Sequence, residues 1–435
     1  MNRLDAFEVS PGGRLSGALR VPGDKSISHR AIMLGAIAEG HTRISGFLAG
    51  EDTLATLAAF RAMGVTIERS VDSVSIDGVG LHGLRRPVAP LDLGNSGTSM
   101  RLLAGLLAGQ RFDTTLTGDA SLSRRPMRRV TGPLALMGAW IDTTAAGTAP
   151  LHIHGGRTLT GIDYVSPVAS AQVKSCLLLA GLYAGGATRV SEPMLSRDHT
   201  ERMLEAFGCP VSTVATTVTV RGGPALRACD IDVPADISSA AFFMVGASIC
   251  PGSDITLEHV GINPTRTGII TVLRAMGADI TILNERRQGG EPVADLRVRH
   301  APLHGVRIGP EGVPAAIDEF PAIFIAAACA EGITTLQGAE ELRVKESDRI
   351  TAMAENLRLL GIEANPLPDG MVIAGGQLGA GTVDAHDDHR IAMSFAIAGA
   401  RARGLVRILH CANVATSFPG FVDLARSAGL GIRGV

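Results

Sequence analysis

Phe60-Arg61-Ala62-Met63-Gly64 and Leu273-Arg274-Ala275-Met276-Gly277 end two stretches of the chain in the same way, with a turn of amphipathic helix, an apolar residue and a glycine. The same ending stands at Leu134-Ala135-Leu136-Met137-Gly138, Glu205-Ala206-Phe207-Gly208, Leu357-Arg358-Leu359-Leu360-Gly361 and Ala425-Arg426-Ser427-Ala428-Gly429. It therefore occurs six times, at intervals of 68 to 84 residues. A glycine just past the last helical turn takes the left-handed conformation without a Cβ clash, which stops the helix and turns the chain into a strand. A self-similar period of this size predicts a fold assembled from six α/β units.

A second element alternates with the first: a helix rich in Ala and Gly, then a glycine, then a β-prone run. Its helices read as Ser28–Ala38, Ser99–Ala108, Ala171–Tyr183, Ser238–Ile249, Pro321–Ala330 and His389–Ala400. They are apolar on nearly every face, so they must be enclosed on all sides and packed closely. Six such units suit one closed ring or two halves of three units each. A chain of 435 residues exceeds what one hydrophobic core usually supports, which favours two halves. A break between the third and fourth units falls near Val233-Pro234-Ala235-Asp236, with no flexible linker to mark it.

Composition sets outer bounds. Hydrophobic residues make up 46% and charged residues 19% of the chain, as in ordinary globular proteins. The N-terminus lacks a basic segment followed by an apolar run, and no apolar stretch is long enough to span a bilayer, so a cytoplasmic protein without membrane partners is expected. The six cysteines form no C-x-x-C pair and read as free buried thiols in a reducing compartment. A net charge of −2 argues against a nucleic-acid partner bound through bulk electrostatics. Of 40 basic residues only Lys25, Lys174 and Lys345 are lysines, as if Lys were kept where a compact ammonium is needed.

Polar chemistry collects where the enclosed helices begin. The six starts are Gly23-Asp24-Lys25-Ser26, Gly94-Asn95-Ser96-Gly97-Thr98, Ser170-Ala171-Gln172, Asp236-Ile237-Ser238-Ser239, Asp318-Glu319 and Asp387-Asp388-His389-Arg390. A helix N-terminus offers unpaired N–H groups and the positive end of its dipole, so anions bind there. Ser, Asn and Asp at one such place mean only a helix cap. Six equivalent starts, several with Lys, Arg or Gln alongside, point to capture of anionic ligands. Further cations lie in Arg124-Arg125-Pro126-Met127-Arg128-Arg129, Ser196-Arg197-Asp198-His199-Thr200 and Arg343–Arg349, of which Arg128 and Arg129 read as a solvated face. The Gly94–Thr98 stretch is not a P-loop, because no G-K-[ST] follows. His386-Asp387-Asp388-His389 and the alternating pair His152 and His154 lack the partners of a metal site, so no metal is expected. No G-x-S-x-G elbow supplies a hydrolase nucleophile.

Taken together, Gly23–Arg30, Leu93–Thr98, Ser170–Gln172, Ser196–Leu204, Arg343–Arg349 and Asp388-His389-Arg390 resemble the EPSP synthases of the enolpyruvyl transferase family, in order and spacing, over the whole chain. The resemblance implies an α/β fold of two similar domains, each built from three repeated units around buried helices as an inside-out α/β barrel. One domain would be residues 1–22 with 237–435, the other residues 23–236, with the active site in the cleft between them. It implies transfer of the carboxyvinyl group of phosphoenolpyruvate to the 5-hydroxyl of shikimate-3-phosphate through a tetrahedral adduct, with loss of phosphate and no cofactor. Lys25, Ser26, Arg30, Ser170, Ala171, Gln172, Arg197, Asp318 and Lys345 would hold shikimate-3-phosphate. Lys25, Gly97, Arg125, Gln172, Arg349 and Arg390 would hold phosphoenolpyruvate. Asp318 would accept the hydroxyl proton, the alternative or additional role being a cap on the Pro321–Ala330 helix; Lys25 and Glu346 are the other catalytic candidates.

Two departures from the family pattern stand out. Thr416-Ser417-Phe418-Pro419 lacks a Lys that some members carry, and Ser170-Ala171-Gln172 replaces Ser-Ser-Gln. Gly97 leaves room where glyphosate-insensitive relatives often have Ala, which implies inhibition competitive with phosphoenolpyruvate. A UDP-N-acetylglucosamine enolpyruvyl transferase usually has a reactive Cys in the loop equivalent to Ser121–Arg129, which has none here. A non-catalytic anion-binding repeat protein would need the arginines but not Asp318 and Glu346. A monomer is expected, since the buried helices already account for the apolar content.

Overall fold

The computed structural model describes residues 4–71 and 73–435. All six repeated glycines, Gly64, Gly138, Gly208, Gly277, Gly361 and Gly429, have φ between +81° and +111°, so each ends its helix in the left-handed region. The helices they terminate are the outer ones, such as Glu51–Ala62 and Gly268–Ala275. The enclosed helices are Lys25–Ile37, Gly97–Ala108, Ala171–Gly181, Ile237–Ile249, Phe320–Cys329 and His389–Gly399. They begin one to three residues earlier than the apolar pattern alone suggests, except at Ala171 and His389, because polar first turns belong to the helix as well. Every residue of Ile237–Ile249 is buried.

Six four-stranded sheets accompany the twelve repeated helices. Each contains a parallel pair at one edge followed by an antiparallel neighbour, as in Leu91–Asp92, Thr114–Thr117 and Leu151–His154. The repetition is thus structural as well as sequential. Three sheets borrow a strand from a distant segment. Ile231–Asp232 pairs in parallel with Glu39–Ser45, and Ser16–Leu19 pairs in parallel with Asp254–Gly261. Phe7–Ser10 lies between Val406–Leu409 and Gly431–Gly434, antiparallel to both.

The chain forms two compact units. The central unit is Gly23–Val233 with Gln288–Gly290; the terminal unit is the described part of Met1–Pro22 with Pro234–Arg287 and Glu291–Val435. The second crossing falls at Val233, three residues before the expected 236, because Ala235 N already bonds to His259 O at 2.9 Å and Asp236 N to Pro22 O at 2.9 Å. Each unit has its own apolar core. In the central unit the helices Gly97–Ala108 and Ala171–Gly181 pack so closely that a Cβ at Gly105 would lie 2.0 Å from Cys176 O. Only glycine permits that approach. In the terminal unit the three enclosed helices pack against one another. No single described helix is long and apolar enough to cross a membrane. All six cysteines are free, with Cys176, Cys209, Cys250 and Cys411 buried and Cys229 and Cys329 partly so.

Candidate active site

In the central unit, three helix starts carry the polar groups, and each is capped by its own side chain. Asp24 accepts from Ile27 N at 2.9 Å, Ser96 from Ser99 N at 3.1 Å and Ser170 from Val173 N at 3.5 Å. Capping and ligand capture are therefore not alternatives here: the caps consume one N–H each and leave the flanking side chains to act. Lys25, the first residue of its helix, pairs with Asp52 at 3.2 Å and stays partly exposed. Arg30 is buried and donates to Ser26 O at 2.9 Å, to Ser175 Oγ at 2.7 Å and to Thr200 Oγ1 at 2.7 Å. Its guanidinium thus ties the first helix start to the third helix and to the segment after Arg197.

The second and third helix starts are linked to each other. Gln172 accepts from Arg101 Nη1 at 2.6 Å and donates to Thr98 Oγ1 at 3.0 Å. Arg125 donates to Asn95 Oδ1 at 2.6 Å. A Cβ built on Gly97 would meet Arg125 Nη1 at 2.9 Å and Arg101 Nη1 at 3.1 Å. Two guanidinium groups therefore converge over a helix N-terminus that has no side chain in the way, which is the geometry of an anion site. Arg128 and Arg129 are exposed, and Arg128 donates to Ala145 O at 2.8 Å.

In the terminal unit the carboxylate of Asp318 is ringed by cations. Lys345 Nζ and Arg349 Nη1 lie 3.6 Å from Oδ1, and Arg390 Nη2 lies 3.9 Å from Oδ2. Arg349 is completely buried, donates Nε to Asp388 at 2.8 Å and Nη2 to Glu346 at 2.7 Å, and has no hydrogen bond from Nη1. Burial disfavours its charge, but Asp388 and Glu346 outweigh that and raise its pKa. The converse holds for Asp388: burial pushes its carboxyl up, yet Arg349 holds it below the usual carboxylate range. Asp388 also caps the His389–Gly399 helix through Arg390 N at 2.9 Å. One carboxylate thus sets both arginines.

The remaining two helix starts differ from the expectation. The cap position of Phe320–Cys329 is Glu319, not Asp318, and the Glu319 side chain makes no cap bond. It accepts instead from Ser238 Oγ, which also receives Arg266 Nη2 at 2.8 Å, while Arg266 pairs with Asp236 at 3.2 Å. The fourth start, Asp236–Ser239, is therefore filled by the protein's own charges. Asp318 is left facing Lys345, Arg349 and Arg390. Asp52 and Arg266 had no signal in the sequence, because each acts through a partner far away along the chain.

His152 and His154 do share a strand face, with rings 4.6 Å apart. They bond to Thr115 and Asp142 respectively. No group of three or more His, Cys, Asp or Glu able to hold a metal occurs among the described residues.

Residues 9–424 match the family model described as EPSP synthase (3-phosphoshikimate 1-carboxyvinyltransferase). A curated 3-phosphoshikimate 1-carboxyvinyltransferase from Methylococcus capsulatus is 69% identical over 98% of this chain and 98% of that protein. Another, from Alkalilimnicola ehrlichii, is 68% identical over 98% of this chain and 96% of that protein. Among solved structures, EPSP synthase from Acinetobacter baumannii superposes with a TM-score of 0.89 at 56% identity and covers 99% of both chains. The enolpyruvyl transferase NikO from Streptomyces tendae, at 18% identity, shares the fold over 99% of both chains with a TM-score of 0.81.

Proposed function

The chain belongs to the EPSP synthase family, and from that premise we propose how its two sets of polar residues divide the work. The reaction is addition of the 5-hydroxyl of shikimate-3-phosphate to C2 of phosphoenolpyruvate, followed by elimination of phosphate, in aromatic amino-acid biosynthesis. Both substrates are small anions. We propose that the enzyme acts in the cytoplasm as a monomer.

Three groups in the central unit take shikimate-3-phosphate: Lys25 and Ser26 at the first helix start, Ser170-Ala171-Gln172 at the third, and Arg197. Arg30 serves by fixing Ser26 O and Thr200. With Ala171 in place of a serine, the main-chain N–H of that residue replaces a hydroxyl contact. Phosphoenolpyruvate lies against Gly97 and Arg125, with Lys25 and Gln172 shared, and against Arg349 and Arg390. Arg349 supplies a buried donor, Nη1, that no hydrogen bond among the described residues uses.

The chemistry then runs in two steps. In the addition, the hydroxyl proton passes to Asp318, the oxygen forms a bond to C2, and the C3 methylene takes up a proton from Lys25 or Glu346. In the elimination, C3 gives up a proton, the C2–O bond to phosphate breaks and the enol ether remains. Lys345, 3.6 Å from Asp318, holds that carboxylate in position by ion pairing and also binds the acceptor. Excluding water protects the adduct from side reactions.

The observation that carries this reading is the Asp318 carboxylate within 4 Å of three cations, two of them buried. A non-catalytic anion binder has no use for a carboxylate there. The test is phosphate release from phosphoenolpyruvate with each acceptor in turn. Release with shikimate-3-phosphate and none with UDP-N-acetylglucosamine is the expected result; the reverse would overturn the reading. The thiols offer the rival chemistry no support: burial raises Cys229 and pushes Cys329 up to about 12.

A further inference from the structure

Lys174 is one of only three lysines, yet the mechanism does not use it. It lies in the first turns of the Ala171–Gly181 helix with its side chain 2% exposed, 2.9 Å from Glu192 Oε2 and 2.9 Å from Glu201 Oε1. Burial works against its charge, but Glu201 and Glu192 outweigh that and raise its pKa. Ion groups this deeply buried cost several kcal/mol to desolvate, and stability alone seldom explains them.

What Glu192 reaches explains the cost. Its Oε1 accepts from the main-chain N–H of Ser170 at 2.7 Å and from Ser196 Oγ at 2.8 Å; Oε2 takes Lys174 and, at 2.7 Å, Ser196 Oγ. Lys174 also donates to Ser196 O at 3.3 Å. Ser170 opens the third helix start, and Ser196 precedes Arg197. Four residues further on, Thr200 is held by Arg30 from the first helix start and bonds Ser175 Oγ at 2.7 Å. One buried carboxylate therefore fixes, by direct hydrogen bonds, two of the three segments assigned to shikimate-3-phosphate.

We propose that Glu192 is the positioning residue of the shikimate-3-phosphate site, registering the Ser170 helix start against the Arg197 segment, with Lys174 as the counter-ion that holds its carboxylate in place. This rests on the assignment of Ser170–Gln172 and Arg197 to that substrate. Glu192 touches no reacting atom. It acts by keeping two phosphate-binding segments at one separation, and misplacement of such groups by about 1 Å is enough to cost up to a hundredfold in rate or affinity.

The experiment measures both KM values, kcat and Tm for Glu192→Ala, Glu192→Gln, Ser196→Ala and Arg197→Ala. Glu192→Ala should raise KM for shikimate-3-phosphate about tenfold or more while KM for phosphoenolpyruvate stays within about twofold. Glu192→Gln, whose amide oxygen still accepts from Ser170 N and Ser196, should recover most of that loss. Ser196→Ala, which cuts only the tether to the Arg197 segment, should show the same selectivity at about threefold and serves if Glu192→Ala fails to fold. A fall in Tm with neither KM changed in Glu192→Ala, while Arg197→Ala raises KM for shikimate-3-phosphate, would overturn the tether alone. No effect of Arg197→Ala on that KM would remove the site assignment and the tether with it.

Discussion

Asp388 grips Arg349 through Nε at 2.8 Å and Nη2 at 3.2 Å, so the remaining nitrogen, Nη1, is left 3.6 Å from Asp318. Both partners are fully buried, and without Asp388 the guanidinium keeps only Glu346 as a hydrogen-bonded carboxylate. Asp388→Ala should lower unfolding stability by up to about 3 kcal/mol, because removing one partner of a buried ion pair leaves the other charge under-compensated. It should also weaken phosphoenolpyruvate binding, since Arg349 and Arg390 both take their position from Asp388. Asp388→Asn keeps an oxygen acceptor for the guanidinium and the Arg390 N–H and should lose less. Urea unfolding and steady-state KM together check this; wild-type stability in Asp388→Ala would contradict it.

Asp318→Asn retains shape and hydrogen bonding but not basicity. Turnover should fall by about 10²- to 10⁴-fold, the usual worth of a positioned general base. Binding of shikimate-3-phosphate, measured by calorimetry, should survive. Full turnover in this variant would remove Asp318 from the proton path.

Gly97→Ala places a methyl carbon 2.9 Å from Arg125 Nη1 and 3.1 Å from Arg101 Nη1. Both contacts are with the ends of flexible side chains, so the fold survives while the guanidinium groups shift by a few tenths of an ångström. KM for phosphoenolpyruvate should rise roughly three- to tenfold. The inhibition constant for glyphosate, competitive with phosphoenolpyruvate, should rise by more, because the added methyl occupies space beside that site. Unchanged constants for both would show that neither ligand lies against Gly97.

His29 is buried with Nδ1 bonded to Thr56 Oγ1 at 2.8 Å and Nε2 without a hydrogen-bond partner among the described residues. Burial, then Lys25 and Arg30, drive its pKa well below 6.5, so the native ring is neutral. The unfolded chain binds the proton first as pH falls. Stability is therefore present above the unfolded pKa and is lost below it, by up to about 1.4 kcal/mol per pH unit from roughly 6.5 downward. In His29→Asn the fall in Tm between pH 7.5 and pH 5.5 should be shallower than in the parent. An identical fall would place the acid sensitivity elsewhere.

The repeat was legible because its marks are local. A glycine at φ +88° after Met63 leaves the same trace in sequence as one at +96° after Met276. The helix starts were legible for the same reason, since caps and neighbouring cations lie within a few residues of one another. What joins them was not. Lys25 finds Asp52 27 positions away, Arg349 finds Asp388 39 positions away, and Ser170 N finds Glu192 22 positions away. Such pairs depend on how units pack, and no periodicity encodes that. The alternative that Asp318 caps Phe320–Cys329 is not realised: Glu319 occupies the cap position, and its side chain turns to Ser238 rather than to the helix.

The strand Phe7–Ser10 sits between Val406–Leu409 and Gly431–Gly434, and Ala6 exchanges main-chain hydrogen bonds with Val435. During synthesis this strand has no partners until Val406–Leu409 and Gly431–Gly434 have been made, and Ser16–Leu19 must likewise wait for Asp254–Gly261. Gly23–Val233 is continuous apart from a three-residue hairpin tip and closes its own sheets, so it is free to fold first. The terminal unit therefore holds two strands without their partners while Gly23–Val233 closes its own sheets.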